Sequence, residues 1–344
     1  MLGIMAMLAR RYTDQEVIRI LNQYMDGSEH PDLVGYRKQT RERDFADPAR
    51  FLWFLRSLVE LGSYRNKRIL DVGCGFGWHA VGLALLEVSN DIVGVDILPG
   101  MIQGMTECLE SLRKKGTRVN VSGLCGDICD LDLPAASFDA IYSNEAIEHV
   151  HDIPRMVKTC ARLLKTGGNL ALVNDQNALN REVREETLAM WKQREHSTEW
   201  SAYLREIRPV EHRDAKPLAQ MREEIIRAAN PTLSSEDLAF LVERTAGLLR
   251  PQIEDLARNY RSGMNLPAVP PYDRCRNPIT GEYIERLFDP YALANTLTDA
   301  GFRTTVRHLF RKRPLNWLNG VQFRPLNNFL FNLRPPFVIF GVKN

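Results

Sequence analysis

Three glycines at alternate positions, with an aspartate just ahead of them, form the most informative stretch of the chain. The stretch reads Ile69-Leu70-Asp71-Val72-Gly73-Cys74-Gly75-Phe76-Gly77. Glycines at this spacing let a strand turn sharply into a helix and bring the backbone very close to a ligand. Asp71 would stand at the carboxyl end of the strand, where open α/β sheets bind their ligands. The pattern therefore predicts a nucleotide-type binding turn.

Two further aspartates follow the next two predicted strands. Asp96 ends the second strand, nineteen residues after Gly77, where a carboxylate can accept hydrogen bonds from both hydroxyl groups of a ribose. Asp127 follows the third strand, and its alternative role is that of a helix cap. Because three carboxylates fall at the ends of three successive strands, we favour a ligand role for Asp127 as well.

The glycine spacing also separates two kinds of nucleotide site. Dinucleotide-dependent oxidoreductases use Gly-x-Gly-x-x-Gly on the same kind of turn. Gly73 and Gly75 fit this pattern, but Trp78 occupies its third position, and Gly77 comes one residue early. An NAD-dependent oxidoreductase is therefore disfavoured, although Asp96 alone would suit either cofactor.

Two later stretches add to the pattern. They read Phe138-Asp-Ala-Ile-Tyr-Ser-Asn-Glu-Ala-Ile-Glu-His-Val150 and Leu163-Leu-Lys-Thr-Gly-Gly168. Together with the glycine loop, they resemble the class I S-adenosylmethionine (SAM)-dependent methyltransferases, in particular the ubiquinone/menaquinone-biosynthesis-like (methyltransferase type 11) subgroup. The resemblance is close over residues 67–175 and extends to 289–344 in topology. It implies SAM as the cofactor and S-adenosylhomocysteine as its product.

The resemblance also implies which residues bind the cofactor. Asp71 and Gly73 would hold the amino group, Asn144 to Ala146 would line the methionine part, and Asp127 would meet the adenine amino group. The full set of expected cofactor-binding residues is Asp71, Gly73, Cys74, Gly75, Gly77, Asp96, Ile97, Met101, Asp127, Ile128, Asn144, Glu145 and Ala146.

Methyl transfer to an oxygen of high pKa needs a base. His149 follows the fourth strand, near the place where the methyl group should point, and is the first candidate. Its alternative role is only to shape the loop. Asp175 and Glu145 are the other candidates. The Asp, Glu and His residues show no spacing typical of a metal site, so we expect no metal.

The elements that must position these residues alternate along the chain. Runs typical of strands cover 68–72, 92–97, 118–124, 138–143 and 168–174, with helical stretches at 77–88, 99–115 and 152–165. Such alternation predicts a parallel sheet with helices on both faces. With the resemblance, it implies an α/β fold with a Rossmann-like, doubly wound, seven-stranded sheet whose last strand is antiparallel, plus an α-helical insertion.

Four segments follow from this interpretation. Residues 1–66 would form N-terminal helices over the cofactor site, and 67–175 the SAM-binding core. Residues 176–288 would form a helical insertion, either a lid over the acceptor or a dimer surface without substrate contact. Residues 289–344 would complete the core. We also expect the glycines of Lys165–Gly168 to cap the preceding helix, and one amphipathic helical stripe from Leu238 to Tyr260.

The net charge of only +2 implies no general attraction to nucleic acid, and no stretch is long enough to cross a membrane. Six cysteines without a Cys-x-x-Cys pair indicate reduced thiols and a cytoplasmic protein. Gly301 to Asn344 contain eight Lys and Arg residues, interleaved with aromatic ones, and no Asp or Glu. Residues 311–336 could thus contact a membrane surface peripherally, or simply cap the sheet edge. A homodimer is left open.

The function expected from these observations is methyl transfer to a small molecule. We favour an oxygen of a sugar, a glycan precursor or a secondary metabolite. One alternative is N- or C-methylation of a metabolite or a lipid-linked acceptor. The other is a non-catalytic SAM-binding scaffold whose insertion serves assembly.

Overall fold

A seven-stranded sheet in the order β3-β2-β1-β4-β5-β7-β6 lies at the centre of the molecule. The computed structural model describes residues 11–43, 45–86, 88, 91–261, 263–311 and 315–344. The strands are β1 (Arg68–Val72), β2 (Asp91–Asp96), β3 (Val121–Cys125), β4 (Phe138–Asn144), β5 (Leu164–Asn174), β6 (Phe302–His308) and β7 (Phe337–Lys343). β7 pairs antiparallel with both β5 and β6, and the other pairs are parallel.

Helices cover both faces of this sheet. They are α1 (Asp14–Met25), α2 (Pro31–Arg43), α3 (Pro48–Gly62), α4 (Trp78–Leu85), α5 (Pro99–Lys114), α6 (Ile153–Leu163), α7 (Arg181–His196), α8 (Thr198–Ile207), α9 (Leu218–Ala229), α10 (Ser235–Arg244), α11 (Arg250–Asn259), α12 (Pro290–Asp299) and α13 (Arg324–Leu333).

Side chains of each strand alternate between two hydrophobic cores. On β1, Ile69 packs with α1, α3, α4 and α5, whereas Leu70 and Val72 pack with α6, α12 and α13 on the other face. This alternation follows from the two-residue period of a strand buried on both sides. The predicted doubly wound, seven-stranded sheet with an antiparallel last strand is confirmed.

Two local predictions were wrong, and one helix was not predicted. The glycines of 165–168 do not cap α6, which ends at Leu163; they lie inside β5, where Gly167 turns with φ of 74°. The stripe from Leu238 to Tyr260 is two helices, α10 and α11, broken at Gly247 with φ of 91°. Residues 28–46 contain α2, a helix whose apolar residues are too few to show a periodic pattern.

The insertion between β5 and α12 has small cores of its own. Helices α9, α10 and α11 enclose one cluster, and Trp191 of α7 packs with Leu218, Ile284 and Leu287 in another. Within the described ranges, no helix is both long enough and apolar enough to cross a membrane.

Candidate functional site

The glycine loop joins β1 to α4. Gly73, Gly75 and Gly77 have φ of 69°, 54° and 78°, in the left-handed region that glycine adopts without strain. A Cβ on Gly73 would lie 2.2 Å from the Cβ of Ala146, whereas the nearest atom to one on Gly75 is 4.0 Å away. Packing therefore requires glycine at Gly73, while Gly75 leaves open space beside its backbone.

Asp96 holds this loop in place from the end of β2. Its Oδ2 accepts a hydrogen bond of 2.8 Å from the N–H of Gly75, and its Oδ1 accepts one of 2.9 Å from the N–H of Leu98. Burial raises the pKa of Asp96, and these two donors and the charges of Arg208 and His149 oppose that shift. Since each carboxylate oxygen can accept more than one hydrogen bond, Asp96 keeps acceptor capacity for a ligand.

The predicted apolar contacts of the cofactor differ in their exposure. Ile97, next to Asp96, is 59% exposed, whereas Met101 and Ile128 are buried. Ile128 packs in the core beneath the sheet, and the Cys74 thiol lies against Gly94 rather than in the cleft. Ile97 therefore presents an exposed apolar surface beside the loop. The side chains of Cys74, Met101 and Ile128 are buried and pack behind the loop and strand ends.

Asp127 and Asp71 occupy contrasting surroundings. The Oδ1 of Asp127 accepts the N–H of Cys129 at 2.8 Å, and its Oδ2 lies 3.4 Å from Nδ1 of His151. Asp71 is buried and accepts a 2.6 Å hydrogen bond from the Tyr142 hydroxyl. Burial raises the pKa of Asp71 to about 7; the Tyr142 bond acts in the opposite direction. A cation beside Asp71 would favour its ionised form.

Asn144, Glu145 and Ala146, at the end of β4, lie opposite the glycine loop and form the facing wall. The cleft is the space between this wall and the loop. Ala146 contacts Gly73 closely enough to exclude a side chain there. Glu145 has φ of 48°, which is rare for a residue with a side chain, and its N–H donates to the carbonyl of Val173. Strained backbone of this kind is often found at ligand sites.

His149 lies among carboxylates that the sequence places far apart. Its Nδ1 is 3.0 Å from the carbonyl oxygen of Tyr283 and 3.6 Å from Glu282, and its Nε2 is 4.0 Å from both Glu148 and Glu285. Burial opposes the charge on the ring, but the three carboxylates outweigh it and raise the pKa of His149. These carboxylates therefore favour the protonated form of the His149 ring.

The same side chains satisfy one geometric requirement of a metal site. One ligand atom from each of Glu148, His149 and Glu285 lies within 4.8 Å of the others, as do those of Asp127, Cys129 and His151. Glu285 comes from the insertion, so no spacing in the sequence could reveal its set. The expectation of no metal stays a prediction.

The insertion reaches the cleft through residues 208–214. The N–H groups of Val210 and Glu211 donate to the buried carboxylate of Asp32, and Arg208 lies 4.7 Å over the ring of Tyr36. Arg208 also pairs with Glu211 at 3.1 Å and lies near enough to Asp96 to oppose its pKa shift. These contacts join the insertion to α2 beside the predicted ribose carboxylate.

A cavity of about 200 Å³ opens beside the facing wall. Asn144, Glu145 and Asp175 line it from the ends of β4 and β5. Phe51, Trp53 and Phe54 of α3 form an aromatic side, and His79, Arg50 and Arg334 complete the polar lining. Two of the three predicted catalytic residues, Glu145 and Asp175, thus share this cavity, and His149 is not among its lining residues.

Sequence reasoning missed three of these lining residues. His79 directly follows Gly77-Trp78 at the start of α4, which places it at the ligand end of the glycine loop. Its ring stacks on Phe51 at 5.5 Å. Arg50 lies in the first turn of α3, and Arg334 stood out only as one of the basic residues of the tail. Of the three, the position after the glycine loop could have pointed to His79.

Comparison with known proteins identifies the central part of the chain. Residues 70–172 match a family described as a methyltransferase domain. A ubiquinone biosynthesis O-methyltransferase of Coxiella burnetii is 37% identical over 116 residues, which cover 34% of this chain and 47% of that protein. The match thus spans about half the length of that relative.

Two further proteins are similar over longer stretches. The O-methyltransferase rstn1 of Aspergillus nomiae is 32% identical over 151 residues, covering 44% of this chain and 60% of that protein. The crystal structure of the YcgJ protein of Bacillus subtilis superposes with a TM-score of 0.43 at 15% identity, covering 84% of this chain and 97% of that chain.

Proposed function

Since residues 70–172 form a class I SAM-dependent methyltransferase domain, we propose that the whole chain transfers a methyl group from SAM to an oxygen of a small-molecule acceptor. The observation that carries the proposal is the cavity beside the facing wall. Asn144 and Glu145 line it, and the next residue, Ala146, contacts Gly73 of the glycine loop. An acceptor in this cavity would therefore lie next to the expected donor site. The similarity to two O-methyltransferases favours oxygen.

The residues around the glycine loop fit the cofactor. Gly75 leaves open backbone, Asp96 keeps acceptor capacity for ribose hydroxyls, and Ile97 offers an apolar surface for a base. The Asp71 carboxylate would neutralise the positively charged amino group of the methionine part of SAM. SAM, when bound, supplies a methyl group activated by a positively charged sulfonium. The carboxylates of the cleft would favour that charge.

The cavity also supplies groups that could accept the proton of a hydroxyl acceptor. His79, Glu145 and Asp175 all line it. We propose that one of these takes the proton, because His149 is not among the lining residues and its carboxylate neighbours raise its pKa, which disfavours a role as base. His149 would instead hold residues 282–285 of the insertion against the cleft through Tyr283.

The aromatic side of the cavity narrows the acceptor class. Phe51, Trp53 and Phe54 offer flat apolar faces against which an aromatic ring of the acceptor could pack. Among the acceptors predicted from the sequence, we therefore favour a secondary metabolite. An acceptor ring packed against these side chains would also displace water from the path along which the acceptor atom approaches the methyl group, opposite the sulfur.

Calorimetric titration with S-adenosylhomocysteine tests the cofactor site. Asp96→Ala removes the carboxylate and leaves the Gly75 N–H without its partner, so we expect affinity to fall by about tenfold to a hundredfold. Asp91→Ala changes the opposite end of the same strand, where Asp91 pairs with exposed Arg68, and should leave affinity unchanged. Equal affinity in both variants would contradict the assigned site.

A second experiment tests the reaction. The protein is incubated with methyl-labelled SAM and a panel of hydroxylated aromatic metabolites, and the products are identified by mass spectrometry. We expect label on oxygen. Label on nitrogen or carbon would overturn the proposed acceptor atom. Tight S-adenosylhomocysteine binding with no transfer across the panel would favour the non-catalytic scaffold.

A further inference from the structure

Two arginines line the cavity, the exposed Arg50 and the half-buried Arg334, and neither has an acidic partner among the described residues. Within the described part of the chain, neither Arg50 nor Arg334 forms an ion pair, and the buried Nε of Arg334 has no hydrogen-bond acceptor. Nearby Arg311 is different, because it pairs with Asp47 at 2.7 Å. The lack of an acidic partner is thus specific to Arg50 and Arg334 and is not shared by the neighbouring Arg311.

The two guanidinium groups also act on each other. Burial lowers the pKa of Arg334, and the positive charge of Arg50 lowers it further. Two like charges kept together beside a cavity raise the energy of the free protein, and an anion between them would relieve that repulsion. Guanidinium groups bind carboxylates and phosphates with two parallel hydrogen bonds each, so they suit such an anion.

The acidic groups of the cavity do not fill this role. Glu145 and Asp175 line the same space, but no ion pair among the described residues joins either of them to Arg50 or Arg334. They come from the ends of β4 and β5, where the donor site is expected, whereas the arginines come from α3 and from the segment before β7. The cavity therefore has an acidic side and a separate basic side.

The aromatic residues link the basic side to a ring. Arg50, Trp53 and Phe54 are spaced i, i+3 and i+4 on α3, so their side chains share one face of the helix. Phe51 also lines the cavity. A molecule that places a ring on this face has its edge beside the Arg50 guanidinium.

We propose that the methyl acceptor carries an anionic oxygen group, a carboxylate or a phosphate, which Arg50 and Arg334 bind while the ring of the acceptor packs against α3. The inference rests on the proposed function, because it takes the cavity as the acceptor site. It adds the charge of the substrate, which the methyltransferase domain leaves undefined. The hydroxyl group to be methylated would then point away from the arginines, towards Glu145 and Asp175.

Calorimetry on the full chain with three probes tests this inference. The probes are benzoate, phenyl phosphate and uncharged benzamide, each titrated with and without S-adenosylhomocysteine. We expect at least one anionic probe to bind about tenfold more tightly than benzamide, which corresponds to the contribution of one charge-assisted pair. Benzoate and phenyl phosphate distinguish a carboxylate from a phosphate. Equal binding of all three probes, or no binding, would overturn the proposal.

Substitutions assign the effect to the two arginines. In Arg50→Gln/Arg334→Gln, we expect the preference for anions to fall to within about twofold, while Arg334→Lys retains part of it. Arg181→Gln, which changes an exposed pair on α7, serves as the control and should keep the preference. A double variant that still prefers anions would contradict the proposal.

Titration with S-adenosylhomocysteine alone keeps the two proposals apart. If S-adenosylhomocysteine binds but neither anionic probe binds more tightly than benzamide, the inference of an anionic acceptor is wrong and the proposed function stands. If the product does not bind to the unchanged protein, the proposed function fails, whatever the probes show. Melting curves with and without phenyl phosphate show whether a silent variant is folded.

Discussion

Gly73 and Gly167 have nearly the same backbone conformation, with φ of 69° and 74°, but different surroundings. A Cβ on Gly73 would lie 2.2 Å from that of Ala146, and one on Gly167 would meet nothing within 4 Å. We expect Gly167→Ala to lower the free energy of unfolding by about 1 kcal/mol, the strain of a left-handed alanine. Gly73→Ala should add overpacking and lower it by about 2–4 kcal/mol. Urea denaturation measures the free energy of unfolding of each variant. Equal decreases in the two variants would mean that Ala146 moves away and relieves the overpacking.

Asp71 gives a second prediction at the level of a single residue. Since burial raises its pKa from an ordinary 3.8 to about 7, folding favours the protonated form. The stability from this effect is fully present below pH 4 and is lost as the pH rises through 7. Asp71→Asn keeps an acceptor for Tyr142 but does not ionise. From pH 5 to pH 8, we therefore expect the variant to gain about 2–3 kcal/mol relative to the unchanged protein.

Denaturant titrations at several pH values measure that difference. Other groups with shifted pKa values, such as Glu148, are present in both proteins and cancel in the comparison. A difference in stability that does not change with pH would show that Asp71 is ionised in the folded protein at every pH tested.

At the level of elements, α2 and residues 208–214 act as one cover beside the cofactor cleft. Asp32 accepts hydrogen bonds from Val210 and Glu211, and Gln39 donates to Tyr203 of α8 at 3.2 Å. Because Arg208 acts electrostatically on Asp96, a ligand at Asp96 should stabilise this cover. We expect S-adenosylhomocysteine to slow amide hydrogen exchange about tenfold in residues 32–40 and 207–212.

Helices α9 to α11 provide the internal control for that measurement. They pack around their own hydrophobic cluster, away from Asp32 and Arg208, and should exchange at unchanged rates. Slowing confined to the glycine loop would contradict the role of the cover. Uniformly slower exchange over the insertion would indicate that α9–α11 and residues 207–212 are stabilised together.

At the level of the whole molecule, the region between β6 and β7 packs Phe331 into one core but leaves several large apolar side chains exposed. Leu315, Trp317, Phe323, Phe329 and Leu333 are each at least 45% exposed. Residues 301–344 contain no Asp or Glu, although Lys312 and Arg313 lie outside the described residues. An apolar and basic surface of this kind suits an anionic membrane. We expect the protein to sediment with phosphatidylserine vesicles, and more weakly above about 0.5 M salt.

Trp317→Ala/Phe323→Ala removes the two most exposed aromatic side chains and should release most of the protein from the vesicles. Leu188→Ala removes an exposed leucine of α7, outside the segment between β6 and β7, and serves as the control. Equal binding to vesicles of phosphatidylcholine, a lipid with no net charge, would contradict an electrostatic contribution to membrane binding. Sedimentation velocity without lipid tests the alternative, a homodimer that covers the same surface.

Much of the fold could be predicted because it depends on short-range patterns. The run from Ile69 to Val72 and the glycines after it specify a buried strand and a turn through neighbouring residues alone. The same holds for Asp47-Pro48, a capping residue followed by proline, which begins α3. Prediction failed at Gly247, where a left-handed glycine separates two helices that the apolar stripe predicted as one.

The chain alone was enough to predict the domain family, the cofactor and the strand-end carboxylates, because chemistry at a strand end depends on residues that are adjacent in sequence. Tertiary structure was needed for the acceptor side. Arg50, His79, Asp175 and Arg334 come from four separate segments and meet only in the folded protein. Glu282 and Glu285 likewise reach His149 from the insertion and raise its pKa. Spacing along the chain does not encode such distances, which result from packing between elements.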